Sequence, residues 1–329
     1  MQPVVVQNEQ RAKGAIMEIP ASVKKIAKEI VDLQQAVAGK HPGFRTAHAK
    51  GIVCTGTFVA SPEARRITKA AHLQGQPVPV TLRFSNASGS PAEHDGAPDV
   101  RGLAVKFSLP DGKKTDLLAI SNEAFLAATA EGMRDFLQVQ APDPSTGKAD
   151  PQGVPRFLES HPAAAAFIGR LMQKPVPASY AQCAYHAVHA FRFVSADGKS
   201  QFGRYHWIPE AGEAYLNPEA AQTRDANFLQ AELKSRVAKG PASLRLELQL
   251  AEAGDATNDA TVLWSAGHRV VELGRLAIEA VSPTSAADER QLIFDPLKVT
   301  DGIEVSDDPI PAARSAAYTF SYEWRTKES

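Results

Sequence analysis

Cysteine is nearly absent. Cys54 and Cys183 are the two thiols in 329 residues, too few for a disulfide framework or a four-thiolate metal site. An excess of either charge is missing as well: 36 Lys and Arg stand against 37 Asp and Glu, for a formal net charge of -1 at pH 7. That balance gives no electrostatic reason to expect nucleic acid. No apolar run reaches the ~18 residues of a membrane span, and the N-terminus lacks the basic-then-apolar layout of a secretory leader. The chain therefore reads as cytoplasmic, with a periplasmic location as the alternative if a leader has been removed.

What is present is an ordinary globular composition, 43% hydrophobic and 22% charged. Closed all-β architectures reach this length as one unit, so residues 1–329 are expected to form one large domain. Apolar positions from Ser22 to Ala38 recur at helical spacing and stop at Gly39, which predicts an amphipathic helix. Gly51 to Ala60, Val78 to Ser85 and Gly102 to Leu109 are short β-rich runs between Pro, Gly, Asn and Asp, the pattern of antiparallel strands. Asn86 to Asp99 reads as a surface loop. After Asp116-Leu117-Leu118 the composition turns helical through Gln140, Ala141 to Pro155 reads as a long connection, and Phe157 to Met172 as a helix.

The second half opens with Cys183 to Val194 as a strand, turned by Asp197-Gly198 into Ser200 to Ile208. Leu244, Leu246, Leu248 and Leu250 alternate strictly, so they share one face of a strand and belong inside a sheet or barrel. Arg269 to Ile278 and Gln291 to Phe294 add strand candidates. No internal repeat or low-complexity tract is found. The expected fold is α+β, an antiparallel β-barrel core with helical insertions and terminal helices.

The segment Pro309 to Arg325 carries the most specific chemistry. Ser306 or Asp307 can cap it and its prolines sit in the first turn, so it reads as a helix. Arg314 and Tyr318, four apart, then share a face, to which Arg325 returns. A free tyrosine ionises near ~10, and a permanent cation beside it lowers that value and favours the phenolate that a ferric iron takes as ligand. The plain alternative is a helix with an exposed arginine and a half-buried aromatic.

The flanks decide in favour of chemistry. Asp301-Gly302-Ile303-Glu304 with Ser306-Asp307-Asp308-Pro309 before Arg314, Arg45 with His48-Ala49-Lys50-Gly51, Arg83-Phe84-Ser85, and Val100-Arg101-Gly102-Leu103-Ala104-Val105-Lys106-Phe107 together resemble the haem-dependent catalase family, from about Arg45 to Arg325. Within it the chain is most similar to the catalase-related peroxidase branch. The resemblance implies a catalase-like barrel over 45–325 preceded by a helix and arm over 1–44, and haem b as cofactor. The haem would be held non-covalently, there being no Cys-x-x-Cys-His.

Carried over residue by residue, the resemblance makes Tyr318 the axial ligand of iron and Arg314 the cation beside it. His48 becomes the distal acid-base group, Ser85 the residue that orients it, and Arg45, Arg83 and Arg325 the partners of the haem propionates. His189 matches a histidine near the proximal side, and Met133 stands where the family has an aromatic packed beside the haem. For His186, His206 and His268 the ordinary reading, exposed or satisfied structural imidazoles, is preferred.

The sequence also departs from the family. An ungapped match from Asp116 puts Ile120 where catalases carry a distal asparagine, with Ser121 or Asn122 as substitutes if the loop shifts. The chain is also shorter at both ends than full-size catalases. The implied function is peroxidase action on organic hydroperoxides, and weakly on hydrogen peroxide, with an external small-molecule electron donor. The alternatives are rearrangement of fatty-acid hydroperoxides, true catalase activity, or a non-catalytic haem- or lipid-binding barrel. The resemblance further points to a homodimer or a larger assembly.

Overall fold

The computed structural model describes residues 18–327. The first part of the expected N-terminal arm, residues 1–17, lies outside them. The elements in chain order are α1 (Ala21–Ala38), β1 (Gly51–Ala60), α2 (Ala64–Ile67), β2 (Val78–Asn86), β3 (Arg101–Ser108), β4 (Lys114–Ile120), α3 (Ala130–Gln138), α4 (Gly153–Ser160), α5 (Pro162–Gln173), β5 (Val176–Pro177) and β6 (Tyr185–His186). There follow β7 (Phe191–Val194), β8 (Ser200–Pro209), β9 (Tyr215–Leu216), α6 (Pro218–Gln222), α7 (Phe228–Val237), β10 (Ala242–Leu250), β11 (Val270–Val281), α8 (Ser285–Gln291), β12 (Ile303–Val305) and α9 (Ile310–Lys327).

Strands β10, β11, β1, β2, β3, β4, β6 and β8 pair in that order, and β10 pairs back onto β8, so the sheet closes as an antiparallel barrel. β7 and β12 continue outward from β8. An eight-stranded barrel has an interior just wide enough for side chains, and here they fill it. Leu244, Leu246 and Leu248 of β10 are fully buried, as their alternation predicts. Phe58 meets Phe107 edge-on at 5.3 Å and Trp207 at 6.1 Å between ring centroids. A ligand of any size must therefore sit outside the barrel.

Helices make the outer wall. α1 lays Ala27 and Val31 against Ala316 and Ala317 of α9, and its Ile30 meets Ala130 at the start of α3 and Ala313. The small residues at this crossing let the two helices approach closely. Beneath them runs a row across four neighbouring strands, Gly51 opposite Ser85, Ser85 opposite Gly102, Gly102 opposite Ile120. Their neighbours Phe84, Leu103 and Ala119 belong to the barrel core, so by strand alternation the row faces outward.

Several expectations need correction. The helical region expected after Leu118 starts later: Ala119 and Ile120 still belong to β4, and α3 begins only at Ala130. Both faces of β4 are largely buried, so Leu117, Leu118, Ala119 and Ile120 show no alternation to read. The helix expected over Phe157 to Met172 is two, because Pro162 cannot continue α4 and instead opens α5. The strand expected over Cys183 to Val194 breaks into β6 and β7. Gln291 to Phe294 is not a strand: Gln291 ends α8 and the next three residues are irregular.

Asn86 ends β2 and residues 87–99 form a loop, but not a superficial one. Asn86 and Asp95 are fully buried; Asp95 pairs with Lys50 at 2.7 Å and accepts from Asn86 Nδ2 at 2.8 Å. Tyr180 donates its hydroxyl to Asn86 Oδ1. An unpaired buried charge costs several kcal/mol, so this paired network fixes the loop that leaves Ser85.

Candidate functional site

His48 sits at the entry to β1 with φ +54°, the one described non-glycine residue at positive φ. Such a backbone costs of order 1 kcal/mol and persists only where its surroundings hold it. Here the His48 N–H donates to Ala87 O at 3.0 Å, and Arg83 Nη2 donates to His48 O at 2.8 Å. The ring Nδ1 lies 2.9 Å from Ser85 Oγ. A Cβ at Gly102 would come within 2.7 Å of Ser85 Oγ and 3.0 Å of His48 Cε1, so glycine is what lets the imidazole lie against β3. Burial first, then the charges of Arg83, Arg314 and Arg45, push the His48 pKa down to about 3. The ring is a neutral base at ordinary pH, with Nε2 left for a substrate proton.

Across the cavity stands α9. Arg314 Nη2 donates to the Tyr318 hydroxyl oxygen at 2.8 Å, the i, i+4 contact that the spacing predicts. Its Nη1 lies 2.9 Å from His189 Nε2, and His189 Nδ1 lies 2.7 Å from Asp308 Oδ2. Burial lowers the His189 pKa despite the opposing bond to Asp308. A neutral His189 with its proton on Nδ1 satisfies both contacts, donating to Asp308 and accepting from Arg314. The other Asp308 oxygen accepts from the Ile310 N–H at 2.9 Å, so Asp308 rather than Ser306 or Asp307 serves the start of α9.

The third group is cationic. Arg45 Nη1 reaches Glu289 Oε2 at 2.5 Å, and Arg83 Nε lies 2.8 Å from both Glu289 carboxylate oxygens. Arg325 donates to Arg290 O at 3.0 Å and, with Arg45, to Leu292 O. A Cβ at Gly51 would come within 2.4 Å of Arg83 Nη2, which explains glycine there.

Arg45, His48, Arg83, Ser85, Arg314, Tyr318 and Arg325 line one cavity. The segment entering β1 supplies His48, strands β2 to β4 supply Arg83, Ser85, Gly102 and Ile120, and α9 supplies Arg314, Tyr318 and Arg325. The middle is apolar, with Leu103, Ala104, Ile293, Phe294 and Ala317 on its walls. The structure thus brings together every sequence-predicted site residue except two. His189 stands behind Arg314, and Met133 packs with Ile30 of α1 and Ala313 of α9 rather than on the cavity wall.

Ser121 and Asn122 are turned away: Ser121 Oγ accepts from the Arg101 N–H at 2.9 Å, and Asn122 Nδ2 donates to Phe167 O at 3.3 Å. Neither lines the cavity, and Ile120 does. His186 and His206 bond each other at 2.8 Å and His268 bonds Asp255 at 2.7 Å, satisfied imidazoles as expected. Sequence reasoning missed Glu289, within a short helix that no strong pattern announces, and the part of Asp308, whose link to His189 spans 119 residues.

Known proteins bear on this arrangement. The family model for catalase matches residues 30–327. A catalase-related peroxidase of Mycolicibacterium paratuberculosis (strain ATCC BAA-968 / K-10) is 39% identical over 299 residues, covering 91% of this chain and 94% of its own. One of Synechococcus elongatus (strain ATCC 33912 / PCC 7942 / FACHB-805) is 33% identical over 299 residues, covering 91% and 88%. Among solved structures, a fungal catalase superposes with a TM-score of 0.78 at 21% identity, over 98% of this chain and 66% of that one. The chain spans about two thirds of the length of that structure. On the family match and these relatives, the chain belongs to the catalase family.

Proposed function

We propose that this chain is a haem peroxidase that reduces organic hydroperoxides, and hydrogen peroxide weakly, with electrons from an external small-molecule donor. The observation that carries the reading is the distal wall: Ile120 lines the cavity with His48, while Ser121 and Asn122 are engaged elsewhere. The residues present fit haem b. An apolar slot with guanidinium groups at one edge suits a flat macrocycle bearing two carboxylates, and guanidinium forks bind carboxylates bidentately. Arg45, Arg83 and Arg325 would hold those carboxylates and Tyr318 the iron, with Arg314 fixing the phenol oxygen and Asp308 and His189 fixing Arg314.

When bound, haem supplies the redox-active iron at which the peroxide O–O bond breaks. His48 takes the hydroperoxide proton on Nε2, Ser85 holding Nδ1, and returns it to the departing oxygen. Two electrons from the donor and two protons convert the hydroperoxide to an alcohol and water. Disproportionation instead requires a second hydrogen peroxide to be oriented and oxidised. Ile120 offers it no hydrogen bond, whereas it offers apolar contact to a hydrocarbon tail.

The test is Ile120→Asn. An unsatisfied amide there costs roughly 1–3 kcal/mol, which the fold should survive. Oxygen evolution from hydrogen peroxide relative to donor oxidation should rise roughly fivefold, the worth of one hydrogen bond of about 1 kcal/mol, and turnover of bulky hydroperoxides should fall. Wild type that evolves oxygen as its main reaction overturns the reading. The position of His48 yields a second expectation. Its neutral form persists down to about pH 3, so the rate with hydroperoxide should stay flat from pH 8 to pH 5 (roughly the range in which a free imidazole titrates). An inflection near 6.5 that disappears in a His48 variant would contradict this.

A further inference from the structure

Three guanidinium groups and one carboxylate meet at the edge of the cavity. Glu289 is 18% exposed at its side chain, Arg45 12% and Arg83 5%, so the cluster is poorly screened. Burial and then Arg83 hold the Arg45 guanidinium well below its ordinary value, while Glu289 acts in the opposite sense. Burial and then Arg83 push Arg325 down to about 10, again with Glu289 opposing. The same arginines also grip the end of α8, through the carbonyls of Glu289, Arg290 and Leu292. With three positive charges and one negative, the cluster keeps an excess of two.

We propose that Glu289 is a resident counter-ion that holds Arg45 and Arg83 in place in the apo-protein and sets the charge of the site to match a ligand with two carboxylates. The inference rests on the haem reading above but concerns a residue that reading does not use. Glu289 stabilises the apo-protein by pairing guanidinium groups that otherwise repel one another. It costs the bound state some affinity, because the ligand's carboxylates share those groups with it. Glu289 is thus a positioning residue that moderates how tightly the cofactor is retained.

The experiment follows transfer of haem b from the holo-protein to excess apomyoglobin, in wild type and Glu289→Gln, beside the uncharged haem dimethyl ester. Removing the competing charge should slow loss of haem b roughly tenfold, equivalent to about 1.4 kcal/mol, and leave loss of the diester unchanged. The apo-variant should melt at a lower temperature than wild-type apo-protein. A purely structural role would change both porphyrins alike, and that result overturns the proposal, as does haem b loss equal to wild type. Wild type that takes up no haem at all overturns the haem reading and this proposal together, an outcome distinct from the other two.

Discussion

Tyr318→Phe is expected to leave a folded protein that retains almost no haem. The substitution keeps the ring on α9 and removes the oxygen that Arg314 Nη2 meets at 2.8 Å. Tyr318 is half-buried, and Arg314 keeps its second partner in His189, so the cost to folding is about one hydrogen bond, roughly 1 kcal/mol. The cost to the cofactor is far larger. Loss of an outer-shell partner typically lowers metal affinity about 10–100-fold, and loss of the ligand itself should exceed about 100-fold. Haem content per protein and the visible absorption spectrum, with far-UV circular dichroism for the fold, make the measurement. A variant with wild-type haem content and an unchanged spectrum would exclude Tyr318 as the ligand.

His48→Asn should do the opposite, keeping haem and losing turnover. Asparagine is the better replacement than alanine, because it tolerates the φ of +54° that His48 adopts. The hydrogen bonds that hold the backbone, from His48 N–H to Ala87 O and from Arg83 to His48 O, do not involve the side chain. What disappears is the neutral base beside Ser85. General acid-base help is worth about 10²–10⁴ in rate, and hydroperoxide-dependent donor oxidation at equal haem content should fall by that order. Rates matching wild type would mean that another group moves the proton.

Local signals in the sequence determined much of this protein. The alternation of Leu244 to Leu250 put β10 with its leucines inside the barrel, and the Asp197-Gly198 turn joined β7 to β8. The four-residue step from Arg314 to Tyr318 gave the guanidinium–phenol contact before any fold was known. Each of these is a short-range relation, fixed by the repeat of a strand or the pitch of a helix, and so written in neighbouring residues.

The sequence motifs also gathered Arg45, His48, Arg83 and Ser85 as one set, through resemblance rather than periodicity. Only the tertiary structure decided what surrounds them. Glu289 meets Arg83 and Arg45 across 206 and 244 residues, and Asp308 meets His189 across 119; no spacing encodes such contacts. β4 escaped notice because both of its faces carry apolar residues, Leu117 and Ala119 in the barrel core and Leu118 and Ile120 on the cavity wall. The barrel register then set Ile120 opposite Gly102, while bonds to Arg101 and Phe167 turned Ser121 and Asn122 aside. Closure of the sheet filled the interior with Leu, Phe and Trp, and this sent the cavity to the outer face, where strands from the first third of the chain meet a helix from its last turn of sequence.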